Sequence, residues 1–512
     1  MWRRPSAKYH KDFLVWGGQT LFSRNVRFGL DIRRILGYSL VDGSRVSESV
    51  AGGETSGGTQ AGLGVAPADA LSLYLRLLPA EFFKQLRQQA KLRENNRVYN
   101  HAVVMWLMIA QRLQDQGTLE TAVLELLRGL PGDFWPKPCK RLQVTAQGKK
   151  PRLSSNTGSY NDARQALPVT LVEQSFDRVF ERLTAEMAGT TPLVGRRVFL
   201  FDGTAVRTPH TEALQAAYPP GSNQYGEAHW PQIRMVVAHD LCTGLAMRPE
   251  WGPMHGPQAV GEQELLERAL DRLPEGAVVV FDANSVFSVA YAADQRKHPV
   301  VLRLTAVRAE CLLGEPLKDG IDRRVVWKAS RDDRKSHPQL PAGAAVAGRL
   351  IVQRVQPSHG GAAFLLAVFS TLEAGPDQIL QLYGSRWNVE GDLRSLKGTL
   401  DLEQLTCTTP EMVAREIDLA MLAYNLVRAV TCMAAQKAGL PSRAYGFTRV
   451  RNVIRAFTPL IAAAQNEPEA RELFDRMMYY VGQAKLPKRK RQRPSYPRAV
   501  WGKPQTFPKR KE

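Results

Sequence analysis

The chain has 512 residues, which at roughly 100–200 residues per domain predicts about two to four domains with ample apolar material for their cores. Lysine and arginine number 69 against 49 aspartates and glutamates, a formal net charge of +20, and such basicity points to a polyanionic partner, nucleic acid first. Five cysteines, an odd number with no C-x-x-C pair, argue against a disulfide framework or a zinc ribbon and fit a reducing cytoplasm.

The opening Met1-Trp2-Arg3-Arg4 is basic, but no apolar core of signal-peptide length follows before Lys8 and Lys11. Apolar stretches such as 102–110 fall far short of the roughly 18 residues a bilayer span needs, so no membrane contact is expected. Residues 42–68 are dense in glycine, serine and threonine and cannot offset the entropy of ordering. Residues 1–68 therefore read as a basic arm and a flexible linker, the arm being either a DNA-contacting extension or a poorly folded one. From Leu71 to about Leu130 apolar residues recur at three and four, which predicts helices. Residues 69–185 are taken as a helical N-terminal DNA-binding region, with Arg87, Lys91, Arg93 and Arg97 clustered in one stretch.

Between Val198 and Thr305 the period changes to short β-branched runs: VFLF, IRMVVAHD turning at Thr243-Gly244 into LAMRPEW, AVVVF and VVLRLT. The fully apolar runs predict interior strands covered on both faces, hence a mixed sheet with flanking helices. Further strand-like text at about 306–370 predicts a β-rich insertion, helices resume at Pro376, and residues 436–482 read as a helical C-terminal region. Residues 483–512 read as a disordered basic tail; Lys485 to Glu512 holds eleven lysines and arginines against one acid, suited to sequence-independent phosphate binding or to simple solubility.

Two of the interior runs end alike: VFLF runs into Asp202 and AVVVF into Asp282. A carboxylate just past the carboxyl end of a buried strand sits at the rim of the sheet, where α/β proteins place their sites; either residue alone also suits a helix cap. The third element is Pro376 to Leu400, read as one helix. At about 100° per residue, Tyr383, Arg386, Trp387, Glu390, Arg394 and Lys397 fall within one arc of about 100°. Leu382, Val389, Leu393, Leu396 and Leu400 gather on another, an apolar stripe for docking on the sheet. Glu390 is thereby presented beside the core, flanked by cations, although a solvated face of i,i+4 ion pairs would give the same pattern. Three glycines (384, 391, 398) in the segment would cost a helix built only for stability about 1 kcal/mol each.

The pattern Tyr383-x2-Arg386-x3-Glu390-x6-Lys397 resembles the YREK signature of the DDE transposases of bacterial insertion sequences, the family named after insertion sequence four. By average residue frequencies it arises by chance in a chain of this length only about once in several hundred. TGSYNDARQALP (157–168), FDGTAVRTP (201–209), HWPQIRMVVAHDLCTG (229–244), VVVFDAN (278–284) and LAYNLVR (422–428) also resemble blocks of that family. The resemblance implies a multidomain α/β protein whose residues 186–435 form a ribonuclease H-like catalytic domain with the β-rich insertion. It implies Asp202, Asp282 and Glu390 as catalytic residues and metal ligands, with Asn284 standing where the family pattern has glycine. Three carboxylates suit two Mg²⁺ or Mn²⁺ ions, hard cations with open positions, and the absence of clustered His or Cys argues against zinc. Arg386 and Lys397 suit phosphates and Tyr383 can donate a hydrogen bond to the same DNA backbone. Trp387 or Trp327 could stack on an extruded base, though each also suits a core.

The function implied is cut-and-paste transposition: metal-dependent cleavage and strand transfer at the element's terminal inverted repeats, a homodimer in the synaptic complex, and a nucleoid-associated location. The alternatives are a ribonuclease H-like nuclease without strand transfer, or an inactive DNA-binding descendant. No P-loop occurs, which argues against a nucleotide-driven motor.

Overall fold

The computed structural model describes residues 69–487 apart from 93, 95–96, 147–152, 188–192, 224–225, 283–285 and 357–361. The arm and linker before residue 69, the basic tail beyond 487, Arg93 and Asn284 lie outside the described residues.

The helical periods of the first described segment become α1 (Ala70–Leu77), α2 (Ala80–Gln89), α3 (His101–Leu113) and α4 (Leu119–Arg128). Each start has a local cause. The Asp69 carboxylate accepts from the Leu71 and Ser72 amides, Asn100 caps Val103 at 2.9 Å, and Thr118 with Thr121 forms a reciprocal cap. Next come α5 (Lys140–Ala146), α6 (Gly158–Ala166) and α7 (Val169–Met187).

The strands then begin: β1 (Val198–Arg207), a short α8 (Glu212–Ala217), β2 (Pro220–Asn223), β3 (Gly226–Asp240) and β4 (Glu250–Pro253). After α9 (Glu262–Leu270), β5 (Val278–Phe281), α10 (Phe287–Gln295) and β6 (Val300–Leu304) complete a β-α-β unit. β3 runs antiparallel to β1, β4 antiparallel to β3, and β5 and β6 parallel to β1 and to each other. The resulting order β4-β3-β1-β5-β6, three antiparallel strands followed by two parallel ones, is the ribonuclease H-like arrangement. VFLF and VVVF are buried throughout, as the apolar runs predict.

The insertion brings α11 (Ala306–Leu313), β7 (Asp322–Lys328), α12 (Arg331–Ser336), β8 (Ala345–Val355) and β9 (Phe364–Ser370). Its strands continue the main sheet: β9 pairs β6, β8 pairs β9 and β7 is the far edge, giving nine strands among the described residues. Trp327 lies between Phe287 and Phe369, ring centroids 5.5 and 5.3 Å away, a packing position inside the insertion.

The chain then forms α13 (Pro376–Gly384), α14 (Trp387–Arg394), a π-helical turn (Ser395–Thr399), α15 (Pro410–Lys437), α16 (Phe447–Ala462) and α17 (Glu467–Gln483). α15, 28 residues long, is the hub. The N-terminal α1, α3 and α7 and the C-terminal α16 and α17 all pack on it, and one continuous apolar core runs from Ala70 to Ala484. It is also the one helix among the described residues long and apolar enough to cross a membrane, and 89% of that stretch is packed inside the protein.

Candidate active site

Register brings the two aspartates together. Leu200 of β1 is level with Val280 of β5, so two residues further along stand Asp202, still within β1, and Asp282, just past the end of β5, neighbours at the rim of the sheet. On the opposite face the Phe201 and Phe281 rings meet at 5.0 Å and tie the strands together. The expectation for Asp202 needs one correction: β1 does not end there but continues to Arg207, because its outer half pairs with β3 (Asp202 with Val237, Arg207 with Gln232). Asp202 therefore lies just past the end of the parallel pairing rather than past the end of its strand.

The helical segment is also not one regular helix. After α13 the turn tightens, with Asn388 and Val389 donating to carbonyls three residues back at 3.0 Å. After α14 it widens, with Leu400 donating five residues back to Ser395 at 3.2 Å. The apolar stripe is as expected: Leu382, Val389, Leu393, Leu396 and Leu400 are all buried, and α14 packs on β1.

Arg386, from the tightened turn, is 9% exposed. Its guanidinium stacks on the Trp387 ring at 4.9 Å, leaves Nε without a hydrogen-bond partner, and is held electrostatically by Tyr383, Asp202, Asp282 and Glu390. Tyr383 is buried beside it, and burial pushes its hydroxyl pKa up. Burial pushes Asp202 up to about 7; Arg386 opposes this, and Asp282 and Glu262 add to it. Desolvation is the larger cause, and the neighbouring carboxylates add to it.

Lys397 departs from the single-face expectation. It leaves from the widened turn, and its charged neighbours are Glu403 and Arg207, at the far end of β1; burial lowers its pKa, Glu403 acting against this. There Arg207 pairs with Glu403 at 2.7 Å, and the two backbones bond both ways through Arg207 N to Glu403 O and Leu405 N to Arg207 O. With about 3.4 Å per residue, Arg207 lies about 17 Å along β1 from Asp202. The change of phase at the π turn is the physical reason, since a five-residue hydrogen-bond step is invisible to a fixed 100° wheel.

Sequence reasoning missed three features. Glu262, at the start of α9, lies over Gly203 and acts electrostatically on Asp202 and Asp282. Arg303 is level with the position after Phe281 on β6, next to Asp282. It is half-buried, its side chain makes no hydrogen bond or ion pair with a described residue, and it acts on Tyr383. As the one charge in VVLRL it was readable in the sequence. The third is the mount of α14: Asp392 pairs with Arg443 at 2.6 Å and with Arg428 at 3.4 Å, and Arg443 also donates to the Leu241 and Asp240 carbonyls. Asn425 bonds both ways with the Ala246 backbone at 2.8 Å. The Arg428 guanidinium fills the place a Cβ at Gly244 would take, at a residue whose φ is +74°. The blocks 239–244 and 422–428 thus meet behind α14.

Among the described residues no three His, Cys, Asp or Glu side chains converge closely enough to hold an ion. Instead, the Arg386 guanidinium stands among Asp202, Asp282 and Glu390 as their counter-cation. The donor set, carboxylates with no soft ligand among them, is of the kind that hard divalent cations take.

Residues 194–426, a stretch that holds Asp202, Asp282, Tyr383, Arg386, Glu390 and Lys397, match the family model of the transposase DDE domain. The chain is similar to the transposase InsG of insertion sequence element IS4 from Escherichia coli (strain K12), with 27% identity over 301 residues, 56% of this chain and 63% of that relative's length. It also aligns with a cryo-EM structure of the piggyBac transposase synaptic complex with hairpin DNA at 11% identity and a TM-score of 0.37, over 80% of this chain and 82% of the other.

Proposed function

We propose that the protein is the transposase of a bacterial insertion sequence, acting in the cytoplasm on nucleoid DNA, and that it cuts the ends of its element and joins them to target DNA as a homodimer. The observation that carries this reading is the pair of register-matched aspartates on the sheet face covered by α14 and Glu390. Asp202, Asp282 and Glu390 would hold two Mg²⁺ or Mn²⁺ ions, which when bound polarise the attacking and leaving oxygens of an in-line displacement at phosphorus.

The remaining work falls to the protein's own groups. Burial around Asp202 and Tyr383 excludes water from the reacting phosphate and strengthens each charge there. Arg386 neutralises the carboxylates while they are empty and has a free Nε–H to offer a phosphate oxygen. Tyr383 and Arg303 lie next along the same face, one able to donate a hydrogen bond and the other to grip a phosphate bidentately. Lys397 sits further down β1 and would contact a phosphate several nucleotides from the cut.

The test is cleavage and plasmid joining by full-length protein on DNA carrying the element's ends. Asp202→Ala, Asp282→Ala and Glu390→Ala are each expected to abolish both steps while end-DNA affinity stays within a few-fold, because each removes a metal ligand and no phosphate contact. Normal joining by Asp282→Ala would overturn the triad, and cleavage by the wild type without joining would make the protein a nuclease.

A further inference from the structure

Near the outer end of β3 the Trp230 indole is 39% exposed, and it is held in place by other rings. The His229 imidazole meets it edge-on at 4.5 Å and 84°, His229 is stacked flat on His210 at 4.5 Å and 4°, and His210 Nδ1 donates to the His229 carbonyl. Trp230, Gln232 and Arg234 alternate along β3 and so share a face, about 14 Å from end to end. Arg207, paired with Glu403, is level with Gln232 on β1, and His255 Nε2 donates to the Gln232 amide oxygen at 3.2 Å. Arg234 is level with Ala205 and with Gly252, small neighbours on both sides. It is half-buried, and its side chain makes no hydrogen bond or ion pair with a described residue. The other two tryptophans suited to stacking are engaged: Trp327 lies between Phe287 and Phe369, and Trp387 lies under the Arg386 guanidinium.

We infer that Trp230 is a stacking platform for an unpaired base of the DNA, and that Arg234 grips a phosphate of the same strand. A sheet face that carries a fixed aromatic beside cations suits single strands, because every base has a π face to stack and the backbone supplies the negative charge. Trp230 stands two residues beyond the β3 partner of Arg207, and so more than about 17 Å along the sheet from Asp202. At about 3.4 Å per nucleotide, the base it takes lies several nucleotides from the cut and is not the one beside it. The inference rests on DNA being the substrate, as proposed above.

The experiment irradiates full-length protein bound to an oligothymidine strand of about 15 nucleotides in which one thymine at a time is replaced by 5-iodouracil, a base that crosslinks to an aromatic ring stacked on it. The crosslinked peptide is mapped by mass spectrometry, and affinity is read in parallel by anisotropy. The wild type is expected to crosslink at Trp230 from the single strand and not from a duplex of the same sequence. Trp230→Ala should lose that crosslink and about tenfold in single-strand affinity, with the salt slope unchanged. Trp230→Phe keeps a ring, should keep most of the affinity, and covers the case in which Trp230→Ala fails to fold. Arg234→Gln should lower the slope of log affinity against log salt by about 0.7, the value for one phosphate contact on a single strand. Crosslinks found only elsewhere, for instance at Trp501, a Trp230 crosslink from the duplex alone, or wild-type single-strand affinity in Trp230→Ala would each overturn this inference and leave end joining by the wild type untouched. A wild type that binds neither single strand nor duplex overturns DNA as the substrate, and this inference with it.

Discussion

Asp418 and Asp202 show how one chemical group serves two ends. Burial pushes both carboxyls up to about 7, but Asp202 stands at the rim of the sheet, whereas Asp418 is sealed in α15, 2% exposed, with one oxygen unpartnered. Arg248 and Arg272 face Asp418 and favour its charge, and Glu173 and Asp177 oppose it. Its folded value exceeds the ordinary 3.8, so the folded state holds the proton more tightly than the unfolded chain does. Its contribution to stability is therefore full below about pH 4, falls as pH rises, and is lost above about pH 7. At about 1.4 kcal/mol per pH unit, the loss at pH 8 has a ceiling of about 4 kcal/mol. Asp418→Asn is expected to raise the melting temperature at pH 8, flatten the dependence between pH 4 and 7, and leave DNA cleavage unchanged. An unaltered pH profile of stability in that variant would show that Asp418 is not the titrating group.

α14 owes its position to ions as much as to its apolar stripe. Burial acts to raise the Asp392 carboxyl, yet Arg443 and Arg428 outweigh it and hold the group below its ordinary range. Asp392→Ala would leave two buried guanidinium groups without their carboxylate, a loss of about 3–5 kcal/mol, and would free the helix that carries Glu390. The expected outcome is a lower urea midpoint and a lower cleavage rate at nearly unchanged end-DNA affinity. Adding Arg443→Met should recover part of the stability and little of the rate, because the tie between α14 and the end of β3 stays broken. A double variant that cleaves like wild type would remove Asp392 from the positioning of Glu390. The apolar stripe of this segment was legible because burial follows the helical period. The tightened and widened turns left no trace in that period, and only the glycines at 384 and 398, near those turns, marked the segment as irregular.

At the scale of the whole molecule, the helices before the sheet are part of the same core as those after it. Arg112 of α3 donates to the Leu400 and Asp401 carbonyls and pairs with Glu416 of α15. Arg451 of α16 donates to the Leu113 carbonyl at 3.0 Å and pairs with Asp115 at 2.7 Å. Deleting residues 1–130 would strip the apolar side of α15 and leave Glu416 and Arg451 buried without these partners. Such a chain is expected to show no cooperative melt, and a cooperative melt would mean that the sheet and its C-terminal helices fold alone. A role for the helical region in reading the element's ends is therefore better tested by substitution at exposed charges such as Lys91 and Arg97 than by truncation; Arg87 is already paired with Glu94 at 2.7 Å.

What the sequence determined by itself follows from local rules. Interior strands showed as unbroken β-branched runs and the docking stripe as a helical period, because each depends on neighbours within a few positions. Tertiary structure decided the rest. Strand register set Asp202 level with Asp282, and the β1–β3 pairing carried the strand on past the first aspartate. Sheet continuation joined β7–β9 to the main sheet, and the π turn sent Lys397 toward Glu403. The return of α9 across β1 set Glu262 over Gly203. In the sequence Glu262 is an ordinary acid in the first turn of a helix, and only the packing of residues some sixty positions apart gives it a second meaning, since a carboxylate's role is fixed by the charges around it and not by its own spacing.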